Sequence, residues 1–168
     1  AWGLLLPLGA LAPAHRWVFG DRQLFGKAVW FRVHLGCQCL GYALFVAGIA
    51  LGLRLEYVNA LEQRAHDTHR TLGLLVLALA SLQMVVGVVR PDLKHRLRWL
   101  WNQLHFNIGR LVMVAAAANV FLGIWLFHVS IYAGRLVVWL VPTAAALGTL
   151  LVAHIGLWVY ARLRGSAA

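Results

Sequence analysis

Apolar residues in this chain fall into four long runs, at about 28–53, 68–89, 101–127 and 136–160, separated by short polar segments. A helix needs about 20 mostly apolar residues to cross the hydrocarbon core, and each run supplies them. The runs are continuous in Leu, Ala and Val and do not alternate, which selects membrane helices over the strands of a barrel. Ahead of them stands AWGLLLPLGALAPA, residues 1–14, too short to cross alone. It lacks the basic start of a signal peptide, and His15-Arg16 follows in place of a cleavage site. It reads as the end of a helix that begins upstream of Ala1. The pattern predicts an all-α integral membrane protein, an antiparallel helix bundle.

Composition agrees. Of 168 residues, 62% are hydrophobic and only five are acidic. The net charge of +10 does not point to nucleic acid, because the basic residues lie between the apolar runs, where membrane topology accounts for them. Arg16, Arg22 and Lys27 in segment 15–27, Arg90, Lys94, Arg96 and Arg98 in segment 90–98, and Arg162 and Arg164 in the tail share one side if the spans alternate. Segment 54–67, where Arg54 and Arg64 are balanced by Glu56, Glu62 and Asp67, shares the other side with 129–135. The positive-inside rule puts the first set in the cytoplasm. Cys37 and Cys39 are two apart in an apolar run, cannot pair locally on a helix, and read as small buried residues. Gly36, Gly41, Gly48 and Gly52 place small positions along the first full span, for close helix packing or for a flat ligand.

The histidines carry the chemistry. His34, His69 and His105 lie near the starts of successive spans, 35 and 36 residues apart. Successive helices run in opposite directions, so His34 and His105 share a depth near the cytoplasmic face and His69 lies near the outer face. Two imidazoles at one depth can ligate one iron from opposite sides, and bis-His ligation suits electron transfer. Three separate packing histidines are the competing explanation, weakened by the cost of polar groups in a membrane. The spacing thus predicts a four-helix haem-binding core with one peripheral helix, 136–160, that contributes no ligand. One step of 35 back from His34 falls just ahead of Ala1, where the partner of His69 is expected. His128 is the internal alternative at that depth. His15, His66 and His95 suit solvated or interfacial positions, and His154 a packed or hydrogen-bonded one.

LLLPLGAL, WFRVHLGCQCLGYALFVAGIALGL, HRTLG, LALASLQMVVGVVRP and WNQLHFNIGR, in this order, resemble the cytochrome b561 membrane domain, in the version found behind DOMON domains in plants and algae. The resemblance covers most of residues 1–128 and leaves 129–168 as an additional transmembrane helix and tail. It implies two b-type haems, one near each face, with ligands from four consecutive helices. Three correspond to His34, His69 and His105. The first, in a His-Gly pair upstream of Trp2-Gly3, is not in this sequence. It further implies reduction by ascorbate and transfer to monodehydroascorbate, a ferric chelate or a DOMON-type haem domain.

Several neighbours then acquire candidate roles. Gly73 and Gly109 would give a porphyrin room. Arg70 and Arg110 would pair haem propionates, with snorkelling arginines as the alternative. Asn102 and Asn107 are weaker candidates for orienting a ligand. Arg90-Pro91 ends a helix. Lys94, Arg96 and Arg98 would attract anionic ascorbate, although simple topology also explains them. Two other classes stay open at this stage. One is a membrane-anchor cytochrome b of a quinone-linked respiratory complex; the other is a helical scaffold without cofactor. The oligomeric state is left open, a homodimer being one option.

Overall fold

A computed structural model describes residues 1–54, 63–130 and 136–165, with the side chain of residue 130 left out. Glu56, Glu62 and residues 131–135, used in the charge argument, lie outside the described residues. Five α-helices are found among them: α1 (Leu5–Ala14), α2 (Val29–Gly52), α3 (Gln63–Val88), α4 (Arg98–Ser130) and α5 (Leu136–Leu163). Helices α2 to α5 are long and apolar enough to cross a membrane. The protein is therefore an all-helical, multi-pass membrane protein. Large apolar side chains line the outside of the helices, among them Leu51, Val114 and Val152, exposed by 68%, 69% and 70%. Such a surface is stable against lipid and not against water.

The chain forms two compact units, Ala1–Gly48 with Val137–Ala168, and Ile49–Leu136. In the first, α1 lies close against α2 and antiparallel to it. Trp2 meets Phe45 edge-on at 5.2 Å, and Gln38 Nε2 donates to the Leu6 carbonyl over 3.0 Å. Glycine makes this approach possible. A Cβ at Gly41 would fall 2.8 Å from Leu6 Cγ, and one at Gly9 would fall 2.8 Å from Cys37 Cβ. Of the four glycines along α2, Gly41 serves packing, whereas Gly36, Gly48 and Gly52 have no neighbour within 4 Å of an added Cβ.

Between α1 and α2 the chain makes a 3-10 turn, Arg16–Phe19, and a small antiparallel hairpin, β1 (Gln23–Leu24) and β2 (Lys27–Ala28). The hairpin was not anticipated. Its two-residue turn has positive φ at Phe25 (51°) and Gly26 (69°), the backbone form that closes tight hairpins. A bulky residue at such a φ is held by its surroundings. Here Arg32 of α2 supplies the hold, donating from Nε to the Leu24 carbonyl (3.2 Å) and from Nη2 to the Phe25 carbonyl (2.8 Å).

The second unit is dominated by the antiparallel pair α3 and α4. Val76 and Ala80 of α3 are buried, as are Val112, Ala116 and Leu126 of α4. Polar side chains within these helices bond locally, as Ser81 Oγ does to the Leu77 carbonyl at 2.7 Å. Trp101 Nε1 donates to the Val86 carbonyl over 2.9 Å, tying the first turn of α4 to the last turn of α3.

Candidate functional site

His34 stands on the second turn of α2 and turns its ring towards α1. Its Nδ1 lies 2.9 Å from the Gly9 carbonyl oxygen. A carbonyl can only accept, so Nδ1 carries the hydrogen and Nε2 carries the lone pair. That is the tautomer of a histidine prepared to bind metal through Nε2, with its orientation fixed by the second nitrogen. Gly9 is needed for it. The position of its missing Cβ is 3.4 Å from the His34 carbonyl and 2.8 Å from Gln38 Nε2, so α1 reaches the ring only through a glycine.

His69, on the second turn of α3, is held by the same device in the other unit. Its Nδ1 lies 3.2 Å from the Asn119 carbonyl oxygen of α4. The ring then passes over Gly123, where a Cβ would fall 2.7 Å from His69 Cε1. Gly73, one turn beyond His69, faces α4 as well, with Asn119 Nδ2 3.2 Å from an added Cβ. The small size of Gly73 thus serves the approach of α3 and α4 at this point. Around Gly109 the nearest atom to an added Cβ is Gln83 Oε1 at 4.0 Å, so that face is more open.

His105 lies on the second to third turn of α4. Its imidazole stacks on the Trp101 indole one turn earlier, with centroids 4.9 Å apart and planes 15° from parallel. Within the α3–α4 pair the seat of His69 is about 14 residues along α4 from His105, or about 21 Å of helix. The two histidines therefore occupy opposite ends of one helix pair. That separation is what alternating helix direction requires.

The arginines are spread differently. Arg110 is exposed and lays its guanidinium over the Phe106 ring, 3.8 Å from the centroid. Arg70 is exposed beside His69. Arg98 is half-buried, donates from Nη1 to the Pro91 carbonyl (2.7 Å) and stands 4.8 Å over Trp101. Arg90 approaches the same ring at 5.8 Å. Burial, and then the neighbouring charge of Arg98, pull the Arg90 pKa below its usual value. Lys94 and Arg96 are exposed in the turn between α3 and α4, where His95 Nδ1 accepts from the Leu97 N–H over 3.1 Å. Asn102 is exposed, and Asn107 makes a long contact of 3.4 Å with Gln103.

His15, expected at a solvated or interfacial position, is instead packed inside its unit. It is only 4% exposed, and its Nε2 lies 2.8 Å from His154 Nδ1 of α5. The stack of Trp17 on Tyr160, 5.7 Å and 18°, reinforces the contact. The physical reason is mutual satisfaction, since each imidazole offers the other a partner that solvent would otherwise supply. His66 is nearer to expectation, partly exposed and 3.9 Å from Asp67. His128 closes the last turn of α4.

Residues 9–130 match the family model described as eukaryotic cytochrome b561. The chain belongs to the cytochrome b561 family. Curated relatives include two cytochrome b561 and DOMON domain-containing proteins of Arabidopsis thaliana. They are 34% and 35% identical, over 73% and 74% of this chain and 28% and 31% of their own lengths. A third, the putative ferric-chelate reductase 1 of Xenopus laevis, is 31% identical over 73% of this chain and 20% of its own length. The chain thus spans about three-tenths of the length of its first DOMON-bearing relatives. No solved structure matches it. Members of the cytochrome b561 family bind b-type haem, and the residues here fit such a group. Two histidines on separate helices have Nδ1 bonded to a carbonyl, so that Nε2 is the nitrogen that would meet iron.

Missing from the sequence reading were Gly9, Asn119, Gly123 and Trp101. Asn119 had a signal, as the one strongly polar side chain in residues 112–127. Trp101 also had one, since it precedes His105 by four residues and so shares its helix face.

Proposed function

We propose that this chain is the membrane part of a transmembrane oxidoreductase that carries electrons between the two faces through two b-type haems. His34 and His105 would hold one near the cytoplasmic face, and His69 would hold the other near the outer face. The spacings of 35 and 36 residues support pairing His34 with His105 and setting His69 apart. Bound haem supplies a one-electron couple, and two histidine ligands leave no open position at the iron. The observation that carries the reading is the repeated anchor, Nδ1–H to a neighbouring helix's carbonyl, at His34 and His69. Packing histidines have no need of one common tautomer.

The chain's own residues would do the rest. The open face of Gly109 would leave space for a macrocycle edge, and Arg70 and Arg110 would meet propionates. The basic segments 15–27 and 90–98 would face the cytoplasm, where Lys94, Arg96 and Arg98 would draw in an anionic donor such as ascorbate. The names of the relatives suggest the outer acceptor, a ferric chelate or a DOMON domain, with monodehydroascorbate as the further candidate. The family match favours this over a quinone-linked anchor cytochrome or a cofactor-free scaffold.

The test uses purified protein in vesicles with ascorbate trapped inside and ferric citrate outside. Expected are a Soret band, haem reduction by ascorbate, and ferrous iron formed outside only when the protein is present. A protein without a Soret band, or one reduced by quinol and not by ascorbate, would contradict the reading.

A further inference from the structure

We propose that Trp101 is a positioning residue for the His105 ligand: its indole sets the plane of the imidazole, and the two guanidinium groups beside the indole raise the reduction potential of the haem at that end. The proposal rests on the reading of His105 as a ligand. A histidine ring rotates about a broad, roughly two-fold torsion, so packing must choose its plane. At His105 the choice is visible. The indole lies 4.9 Å away and within 15° of parallel, and rotation of the imidazole would break that stack. The indole is itself immobilised, because its Nε1–H is bonded to the Val86 carbonyl of α3 at 2.9 Å. The stacked ring is what selects the imidazole plane, and the Val86 bond adds to its hold without being required for the stack.

The charge argument is separate. Arg98 stands 4.8 Å and Arg90 5.8 Å from the Trp101 centroid, both within cation–π range. Arg98 is further fixed by its bond to the Pro91 carbonyl. Two cations close to an axial ligand disfavour the ferric state, which carries one more positive charge than the ferrous. At His69 the ring meets the Asn119 carbonyl and Gly123, and the adjacent Arg70 is exposed, where solvent and salt screen its charge. The two ends should differ in potential, with the His105 end the higher.

The plane of an axial imidazole governs the g values of low-spin ferric haem, which mere folding stability does not move. Trp101→Leu removes the ring, Trp101→Phe keeps a ring without the donor, and Arg98→Gln removes a charge and keeps the stack. In purified full chain, Trp101→Leu should retain haem, shift the largest g value and lower the midpoint. Trp101→Phe should keep the wild-type g value. Arg98→Gln should lower the midpoint at unchanged g, changing the oxidised-to-reduced ratio by up to tenfold, about 59 mV for one electron. Wild-type g value and midpoint in Trp101→Leu would overturn the proposal, as would a Trp101→Phe variant shifted as far as Trp101→Leu. If Trp101→Leu loses haem, Trp101→Phe decides alone, a wild-type g value supporting the proposal and a shifted one overturning it. Full haem content in His105→Ala would instead refute the ligand reading beneath it.

Discussion

In the α3–α4 pair, His69 gives its Nδ1 hydrogen to a carbonyl and keeps a lone pair on Nε2. In the unit of α1, α2 and α5, His34 does the same, but His15 and His154 bond to each other. The difference separates two arrangements of a buried or part-buried histidine. A ring anchored to a carbonyl has one tautomer and a directed base, which is what a metal ligand needs. Two rings sharing one hydrogen satisfy each other, and the result is a clasp between the end of α1 and α5. Burial and sequence alone would not sort these four residues. The identity of the acceptor is the observation by which the proposal sorts them.

The comparison can be broken by substitution, and the largest effect is expected at His69. On the proposed ligand set, His69→Ala should abolish one haem and leave the haem that His34 and His105 would hold with its optical and EPR signals intact. Loss of all haem would mean that the two ends are not independent sites. A smaller effect is expected at Gly123, where even a Cβ would fall 2.7 Å from the His69 ring. Gly123→Val should destabilise the α3–α4 pair by about 1–3 kcal/mol, the usual range for overpacking, measured by thermal unfolding in detergent. A wild-type melting temperature there would refute the close seat.

The clasp should behave differently. His15→Phe leaves His154 with a lost partner and should cost about 1–3 kcal/mol, while haem content stays at the wild-type level. Replacing both with Phe should cost less than the two single changes together, which a double-mutant cycle would show. The clasp should also depend on pH. Burial, and then the proximity of His154, lower the His15 pKa from its ordinary 6.5. The folded state therefore prefers the neutral ring, and the unfolded chain binds more protons below that value. Its stabilising effect should be complete above pH 6.5 and be lost as the pH falls below it. Between about pH 7.5 and 5.5 the wild type should lose more thermal stability than the double Phe variant, and equal losses would remove the clasp from the explanation. The smallest effect concerns electron entry. Lys94→Gln with Arg96→Gln should raise the KM for ascorbate severalfold at low salt without changing the haem spectrum, and unchanged kinetics would leave those charges to topology alone.

Much of this was legible in the sequence for a definite reason. Membrane helices must satisfy their backbone internally, so length and apolarity suffice to find them. The expected span of 28–53 appears as Val29–Gly52, and 136–160 as Leu136–Leu163. Histidines inside such spans are conspicuous, and the spacing of 35 and 36 selected His34, His69 and His105. What the sequence hid was the second partner of each ring. Gly123 is one glycine among 16, and only the crossing of α3 with α4 brings it under His69. His15 and His154 are 139 residues apart, so no local pattern could couple them. The hairpin at Phe25-Gly26 was hidden because its first turn residue is a Phe in a conformation usually left to Gly or Asn.

The central proposal is that His34 and His105 would hold one iron and His69 another. The most direct measurement is a potentiometric titration, with EPR of the oxidised samples, on His34→Ala, His105→Ala and the variant carrying both changes. The account predicts that each single change removes the same haem, with the same midpoint and g value missing, and that combining them removes nothing more. Single changes that remove different haems, or a double variant that loses more than either, would contradict it.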